Sequence, residues 1–322
     1  RLLPIVPRPP QGGLDPSFPF SLNTGRVRDH WHTMTRTGRS PRLSGHIKEP
    51  FVAIHPVDAA GQGLVDGALA RITSEKSEII VRVDANEGMR RGEVFVPMHW
   101  NDQFAASANV GRLIDAHVDP ISGQPQFKQT PVRVGPYAAA WYGFLLTRRA
   151  VDDLDAGYWS KARRQGLWHY ELAGEAPPDD WSIYGHSLLD DDQGTSEWRE
   201  LQDSAQANYR LARLVDGRLD AVLIIQPSHA LPPRDWLTEL FNKAQLDQAE
   251  RRRVLRGTPP TGQFDAGRTV CSCFSVGINT LTRAIREQGL KTPEAIGEHL
   301  RAGTNCGSCI PELRRLIVDG AT

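Results

Sequence analysis

The cysteine pattern constrains this chain more than any other feature. Only four cysteines occur in 322 residues, and all lie near the C-terminus: Cys271, Cys273, Cys306 and Cys309. They form a C-x-C pair, an intervening stretch over 274–305, and a C-x-x-C pair. A disulfide between cysteines one residue apart is badly strained, and no fifth cysteine offers another partner. Two close pairs of thiols suit a metal or an iron–sulfur cluster. Four cysteines with a C-x-x-C half can also hold zinc, which stands as the alternative.

The bulk properties narrow the setting. Lys plus Arg is 38 and Asp plus Glu is 38, which gives no electrostatic case for nucleic acid or an anionic membrane as partner. No apolar run approaches the ~20 residues of a membrane helix. Thiolate ligands fit a reducing compartment, so the expected location is cytoplasmic. The chain opens Arg1-Leu2-Leu3-Pro4, without an initiator methionine or a signal-peptide pattern, and reads as part of a longer protein.

Along the chain, residues 1–20 are rich in proline and glycine and read as a linker. From about Ser21 to Val134 the pattern is β-rich. Ala68–Ile72 alternates after an Asp66-Gly67 turn, Ile79–Val83 is a second strand, and Glu93–Val96 a third between Gly92 and Pro97. Short strands with Gly and Asp turns suggest a barrel or sandwich. Residues 136–256 are harder to read, with Trp141, Trp159, Trp168, Trp181 and Trp198 among polar loops such as Asp190-Asp191-Asp192. Tyr209–Val215, Asp216-Gly217 and Arg218–Ile225 predict a hairpin with a type I′ turn. Trp236, Leu237, Leu240 and Phe241 have helical spacing, and the charged run Glu250–Arg253 leads into a Thr258-Pro259-Pro260 linker. In the tail, Ile278, Leu281 and Ile285 mark a helix ended by Gly289. Thr292 caps a second helix that starts at Pro293, and Pro311 opens a third with Leu313, Leu316 and Ile317 inward.

Val270-Cys271-Ser272-Cys273, the Ile278 helix and Asn305-Cys306-Gly307-Ser308-Cys309 closely resemble the small 2Fe–2S domain of bacterioferritin-associated ferredoxin. The resemblance implies a 2Fe–2S cluster on Cys271, Cys273, Cys306 and Cys309. A second stretch, Leu22–Thr37, brings a glycine turn, a guanidinium, two imidazoles and several hydroxyls together, a set able to bind phosphates and a polar heterocycle. It resembles the opening motif of the molybdopterin dinucleotide-binding domain in the dimethyl sulfoxide reductase family. The likeness continues through Pro41-Arg42-Leu43, Pro50-Phe51-Val52, Pro97-Met98-His99-Trp100 and Asp119–Lys128.

That resemblance implies a six-stranded double-psi barrel. By position, Thr24, Gly25 and Arg26 resemble dinucleotide contacts, His30, Trp31, His32 and Thr33 resemble residues near the pterin, and Lys128 resembles a pterin-contacting lysine. The family usually has an asparagine where this chain has Gly111; the nearest asparagine is Asn109. Either the loop is shifted by two residues or one pterin hydrogen bond is lost. His99 and Trp100 carry two readings, packing or cofactor contact.

The expected architecture is therefore multi-domain: a linker over 1–20, a β-rich double-psi barrel over 21–135, an α+β connecting domain over 136–256, and a small all-α 2Fe–2S domain over 257–322. This order resembles the C-terminal end of the catalytic subunits of bacterial assimilatory nitrate reductases. The likeness implies a parent enzyme that reduces nitrate to nitrite with a Mo-bis(molybdopterin guanine dinucleotide) cofactor. Electrons would come from ferredoxin, flavodoxin or an NADH-dependent reductase subunit. A 4Fe–4S cluster, the molybdenum ligand and the nitrate pocket would lie upstream, so no catalytic residue is expected in this chain. The alternatives are a stand-alone electron-transfer or docking module, or the same region of another molybdopterin oxidoreductase such as a formate dehydrogenase.

Overall fold

The computed structural model describes residues 12–152, 154–189, 196–260, 264–267 and 269–320. The prolines at 4, 7, 9 and 10 of the expected linker and the Asp190-Asp191-Asp192 loop lie outside these residues. The described residues fall into two compact units. One runs to 141 and includes 155–162 and 170–176; the other comprises 142–154, 163–169 and 177 onward.

The first unit is built on β1 (Phe20–Gly25), β2 (Phe51–Ile54), β3 (Leu69–Thr73), β4 (Glu78–Ala85), β5 (Glu93–Pro97) and β6 (Lys128–Pro136). They close into a barrel in the order β1-β5-β2-β4-β3-β6. Strand periodicity explains the core: Leu22, Val52 and Ile54, Ala70 and Ile72, Ile79, Val81 and Val83, Val94 and Val96, and Val132 and Val134 are all buried. Each buried Val or Ile stabilises the barrel by roughly 1.5–3 kcal/mol relative to an exposed one. β1 pairs parallel to β5, and β2 parallel to β4, while the other ladders are antiparallel. The β1–β5 register ends at Gly25 opposite Pro97, which sets the ends of two distant segments side by side. The helical turns α1 (Pro41–Ser44) and α2 (Pro56–Gly61) lie between strands.

Further along are β7 (Trp141–Thr147), β8 (Tyr158–Arg164), β9 (Leu167–Gly174), α3 (Trp181–Leu189), β10 (Ser196–Asp203), β11 (Asn208–Val215) and β12 (Arg218–Gln226). In the second unit β10, β11, β12 and β7 lie side by side, all antiparallel. The expected β11–β12 hairpin is present. Asp216 and Gly217 have φ of 50° and 78°, the paired positive values of a type I′ turn. Trp236, Leu237 and Leu240 of α4 (Asp235–Leu240) are buried with Phe241 beside them, as their spacing predicts. The charged run, to which the sequence assigned no element, is helical: Gln248–Arg253 forms α5. Asp247 and Glu250 form a capping box, and Glu250 is buried against Lys243.

The tail holds β13 (Thr269–Cys271), β14 (Val276–Gly277), α6 (Ile278–Gln288), α7 (Pro293–Leu300) and α8 (Ile310–Gly320). Gly289 at φ 61° ends α6, and the Thr292 hydroxyl accepts from Ala295 N–H at 3.2 Å to cap α7. The all-α expectation needs one correction. The first cysteine pair sits on a small antiparallel hairpin of β13 and β14, because Cys271 pairs with Val276 across a turn with Ser275 at φ 53°. The chain as a whole is β-rich, with a closed barrel, additional sheets and helices.

Candidate cofactor sites

The β13–β14 hairpin presents Cys271 and Cys273, and the loop into α8 presents Cys306 and Cys309. Cys271 and Cys309 are buried among Val270, Val276, Leu281, Ile285, Ile296 and Leu313. Cys273 is half-buried and Cys306 exposed. Gly307 at φ 73° lets the second loop turn tightly, and Leu313 N–H bonds Cys309 O at 2.9 Å to lead into α8. Arg301, itself left-handed at φ 62°, lays its guanidinium over the Phe274 ring at 4.3 Å and braces the two loops together.

The sulfurs stand in two pairs. Cys273 and Cys306 Sγ are 3.3 Å apart, and the Cys271 and Cys309 thiols contact each other. Burial, then the neighbouring Cys271 sulfur, push the Cys309 thiol up to about 11. Such crowding disfavours bare thiolates and suits thiolates neutralised by metal. Among the described residues no three His, Cys, Asp or Glu side chains gather at a point fit for one ion. Two thiol pairs, Cys273 with Cys306 and Cys271 with Cys309, are a donor set that fits a 2Fe–2S cluster, and these four residues would hold it.

The barrel carries the second site. A cleft of about 290 Å³ is lined by Thr24, Gly25, Arg26 and Lys128 together with Met98, Asn109, Val110, Gly111, Ile114 and Phe127. The ends of β1 and β6 meet here, where Thr24 Oγ1 donates to Phe127 O at 3.1 Å. A Cβ on Gly25 would come within 2.9 Å of the Phe95 ring, so only glycine fits that wall. Arg26 and Lys128 bring two cations to the rim, a setting for phosphate oxygens. Asn109 and Gly111 both line the cleft. Asn109 Oδ1 accepts from Gly111 N–H at 3.1 Å, so the group Asn109 can offer a ligand is its NH2.

Not every expected contact faces that cleft. His30 is buried, with Nδ1 3.3 Å from Thr37 Oγ1 and its ring edge-on to Trp100. Burial holds His30 below the usual imidazole range, and a proton on nearby His99 would push it the same way. Trp31, His32 and Thr33 are exposed on the loop after β1, with Arg26 lying 4.6 Å from the Trp31 ring centroid. His99 is fully buried and bonds the backbone of this same loop. A second cavity of about 260 Å³ is lined by Asp15, Ser74, Lys76, Asp115 and His117 among others. Asp115 pairs there with Lys76 and His117, so its charges are largely spent on each other.

Sequence reasoning missed the apolar lining of the cleft: Met98, Val110, Ile114 and Phe127. The available signal was adjacency, since Met98 and Phe127 sit inside the Pro97–Trp100 and Asp119–Lys128 stretches already singled out. The Arg301–Phe274 brace had no sequence signal.

Comparison with known proteins finds a domain match around each site. Residues 20–131 match the molydopterin dinucleotide binding domain, and residues 269–319 match the BFD-like [2Fe-2S] binding domain. A nitrate reductase of Klebsiella oxytoca is 38% identical over 323 residues, covering 98% of this chain and 36% of that protein. The assimilatory nitrate reductase catalytic subunit of Bacillus subtilis (strain 168) is 36% identical over 135 residues, covering 42% of this chain and 18% of that one. The F420-dependent formate dehydrogenase subunit alpha of Methanocaldococcus jannaschii is 33% identical over 120 residues, covering 37% and 17%. The chain thus spans about a third of the length of the Klebsiella oxytoca protein. The chain is similar to nitrate reductases and holds matches to both a molydopterin dinucleotide binding domain and a BFD-like [2Fe-2S] binding domain.

Proposed function

We propose that this chain is the cofactor-binding and electron-entry part of a molybdenum-dependent assimilatory nitrate reductase, whose overall reaction takes nitrate, two electrons and two protons to nitrite and water. The observation that carries the reading is the likeness to the Klebsiella oxytoca nitrate reductase across 98% of the chain, with both cofactor domains inside it. When bound, the molybdenum cofactor supplies the oxygen-atom chemistry and the iron–sulfur cluster supplies one-electron transfer.

This chain's own residues hold and orient those groups. Thr24, Gly25, Arg26 and Lys128 receive the dinucleotide, Arg26 and Lys128 neutralising phosphate charge. His30, Trp31, His32 and Thr33 form the loop on the pterin side. Cys271, Cys273, Cys306 and Cys309 hold the 2Fe–2S cluster. The proposed layout is a double-psi barrel over 21–135, a connecting domain over 136–256 and a cluster domain over 257–322, working in the cytoplasm. The electron donor is a ferredoxin, a flavodoxin or an NADH-dependent subunit. No catalytic residue is assigned within the chain.

The formate dehydrogenase reading is weaker for a specific reason. Its 120 aligned residues are too few to include both cofactor domains, which run from 20 to 319. The test is metal analysis and assay of the full-length parent. Iron and molybdenum together, with nitrate consumed under a chemical reductant, are expected, while the 322-residue chain alone turns over none. A parent that oxidises formate and ignores nitrate would sink the proposal.

A further inference from the structure

The loop that leaves β1 is held along its length by the residues that follow β5. Met98 N–H donates to Gly25 O at 2.9 Å and extends the parallel β1–β5 ladder by one step. Beyond that step the backbone ladder gives way to a side chain. Val27 N–H donates to His99 Nε2 at 2.9 Å, and His99 Nδ1 lies 2.6 Å from His32 O. A nitrogen that accepts from an amide carries no proton, and one facing a carbonyl must carry it. His99 is therefore a neutral imidazole protonated on Nδ1.

Arg26 lies between Gly25 and Val27, so both of its neighbours are pinned. Its guanidinium is steadied by the Trp31 ring. At the far end of the loop His32 has φ of 45° and Met34 φ of 61°, left-handed values that cost non-glycine residues of order 1–3 kcal/mol each. The turned His32 carbonyl is the one that meets His99. The groups facing the His99 ring are Arg26, His30 at a 5.6 Å centroid distance, His32 and Trp100. Burial first, and the charges of Arg26 and His32, hold His99 below the usual imidazole range, and its bond to His32 O opposes them.

We propose that His99 is a positioning residue: as the Nδ1–H tautomer it clasps the loop of residues 27–32 at both ends and so aims Arg26 at the phosphates of a bound dinucleotide. The inference rests on the reading that the Thr24–Lys128 cleft takes that dinucleotide. Its own content is the tautomer and the clasp, which that reading does not require.

Two measurements on the 322-residue chain test it. In the first, 15N-histidine NMR reads the His99 tautomer. An unprotonated Nε2 beside a protonated Nδ1 is expected, and an Nε2–H tautomer or an imidazolium at pH 7 overturns the proposal even if every variant misfolds. In the second, guanosine diphosphate stands in for the nucleotide half of the cofactor and its binding is measured by titration. His99→Leu, checked for an intact thermal transition, is expected to weaken binding about tenfold, the scale of one ordering hydrogen bond. His99→Gln keeps an acceptor for Val27 N–H and is expected to recover most of that loss. Equal binding by wild type and His99→Leu refutes the clasp. No binding by wild type, with the tautomer as stated, refutes the dinucleotide reading of the cleft and with it the role assigned to Arg26.

Discussion

The buried thiol of Cys309 gives the tail a measurable chemical signature before any iron is loaded. With its pKa pushed up to about 11 by burial and by the Cys271 sulfur, about one Cys309 in a thousand is thiolate at pH 8. A cysteine at the unshifted value of 9.0 is about one tenth thiolate at that pH, a ratio of roughly 90. The rarer thiolate is also the more nucleophilic. A Brønsted coefficient of about 0.45 over the 2-unit difference returns about a factor of 8. The net chemical protection is therefore about tenfold, before the barrier from its 5% exposure is added.

The assay is timed reaction of the metal-free chain with an aromatic disulfide, followed residue by residue by mass spectrometry, against the chain unfolded in denaturant. Cys306, which is exposed, should react first and Cys309 at least about tenfold more slowly than in the unfolded chain. The Cys309 rate should keep climbing about tenfold per pH unit up to pH 10. A rate that levels off by pH 9, or matches that of Cys306, would refute the crowded-pair geometry. The sign for stability follows: the unfolded chain loses this proton near pH 8.5–9 and the folded one near 11, so the metal-free tail loses stability as pH rises through that window.

Cys306→Ser should abolish the visible spectrum of the loaded tail while the barrel keeps its thermal transition; an intact spectrum would remove Cys306 from the ligand set. In acid the barrel should weaken. His30 and His99 are both held below their unfolded pKa near 6.5, so the unfolded chain takes up protons that the folded one refuses, and stability falls as pH drops below about 6.5. Thermal midpoints at pH 7.5 and 5.5 check this, and a midpoint that rises on acidification would contradict it.

The parts legible in the sequence are those where a local rule and the tertiary fold agree. Alternation located β3, β-branched runs bounded by turn residues located β4 and β5, Asp216-Gly217 located a hairpin, and Thr292-Pro293 with Gly289 bounded two helices. β7 resisted because all seven residues from Trp141 to Thr147 are buried, and such a run has no strand period to read. α5 was hidden by its own charges, since Glu250 turns inward to serve as both cap and ion-pair partner. β13 and β14 are too short for any pattern and exist through pairing alone. At the sites, the motif residues Thr24, Gly25, Arg26 and Lys128 converge on one cleft, but the identity of the loop's anchor was invisible. A lone histidine reads the same whether it fills space or holds a backbone, and only the two bond partners of His99 distinguish these.

The cleft is stitched from far-apart stretches of polypeptide: 103 positions separate Thr24 from Phe127, and 72 separate Val27 from His99. Bonds of such long range cannot form until the intervening strands have paired, since the entropy of closing those large loops must be met first. A nascent chain therefore lacks this cleft until β6 is in place. A nucleotide bound there, as proposed, would have to load after the barrel closes, and a truncation before residue 128 removes the cleft, whatever remains of the motif at its start.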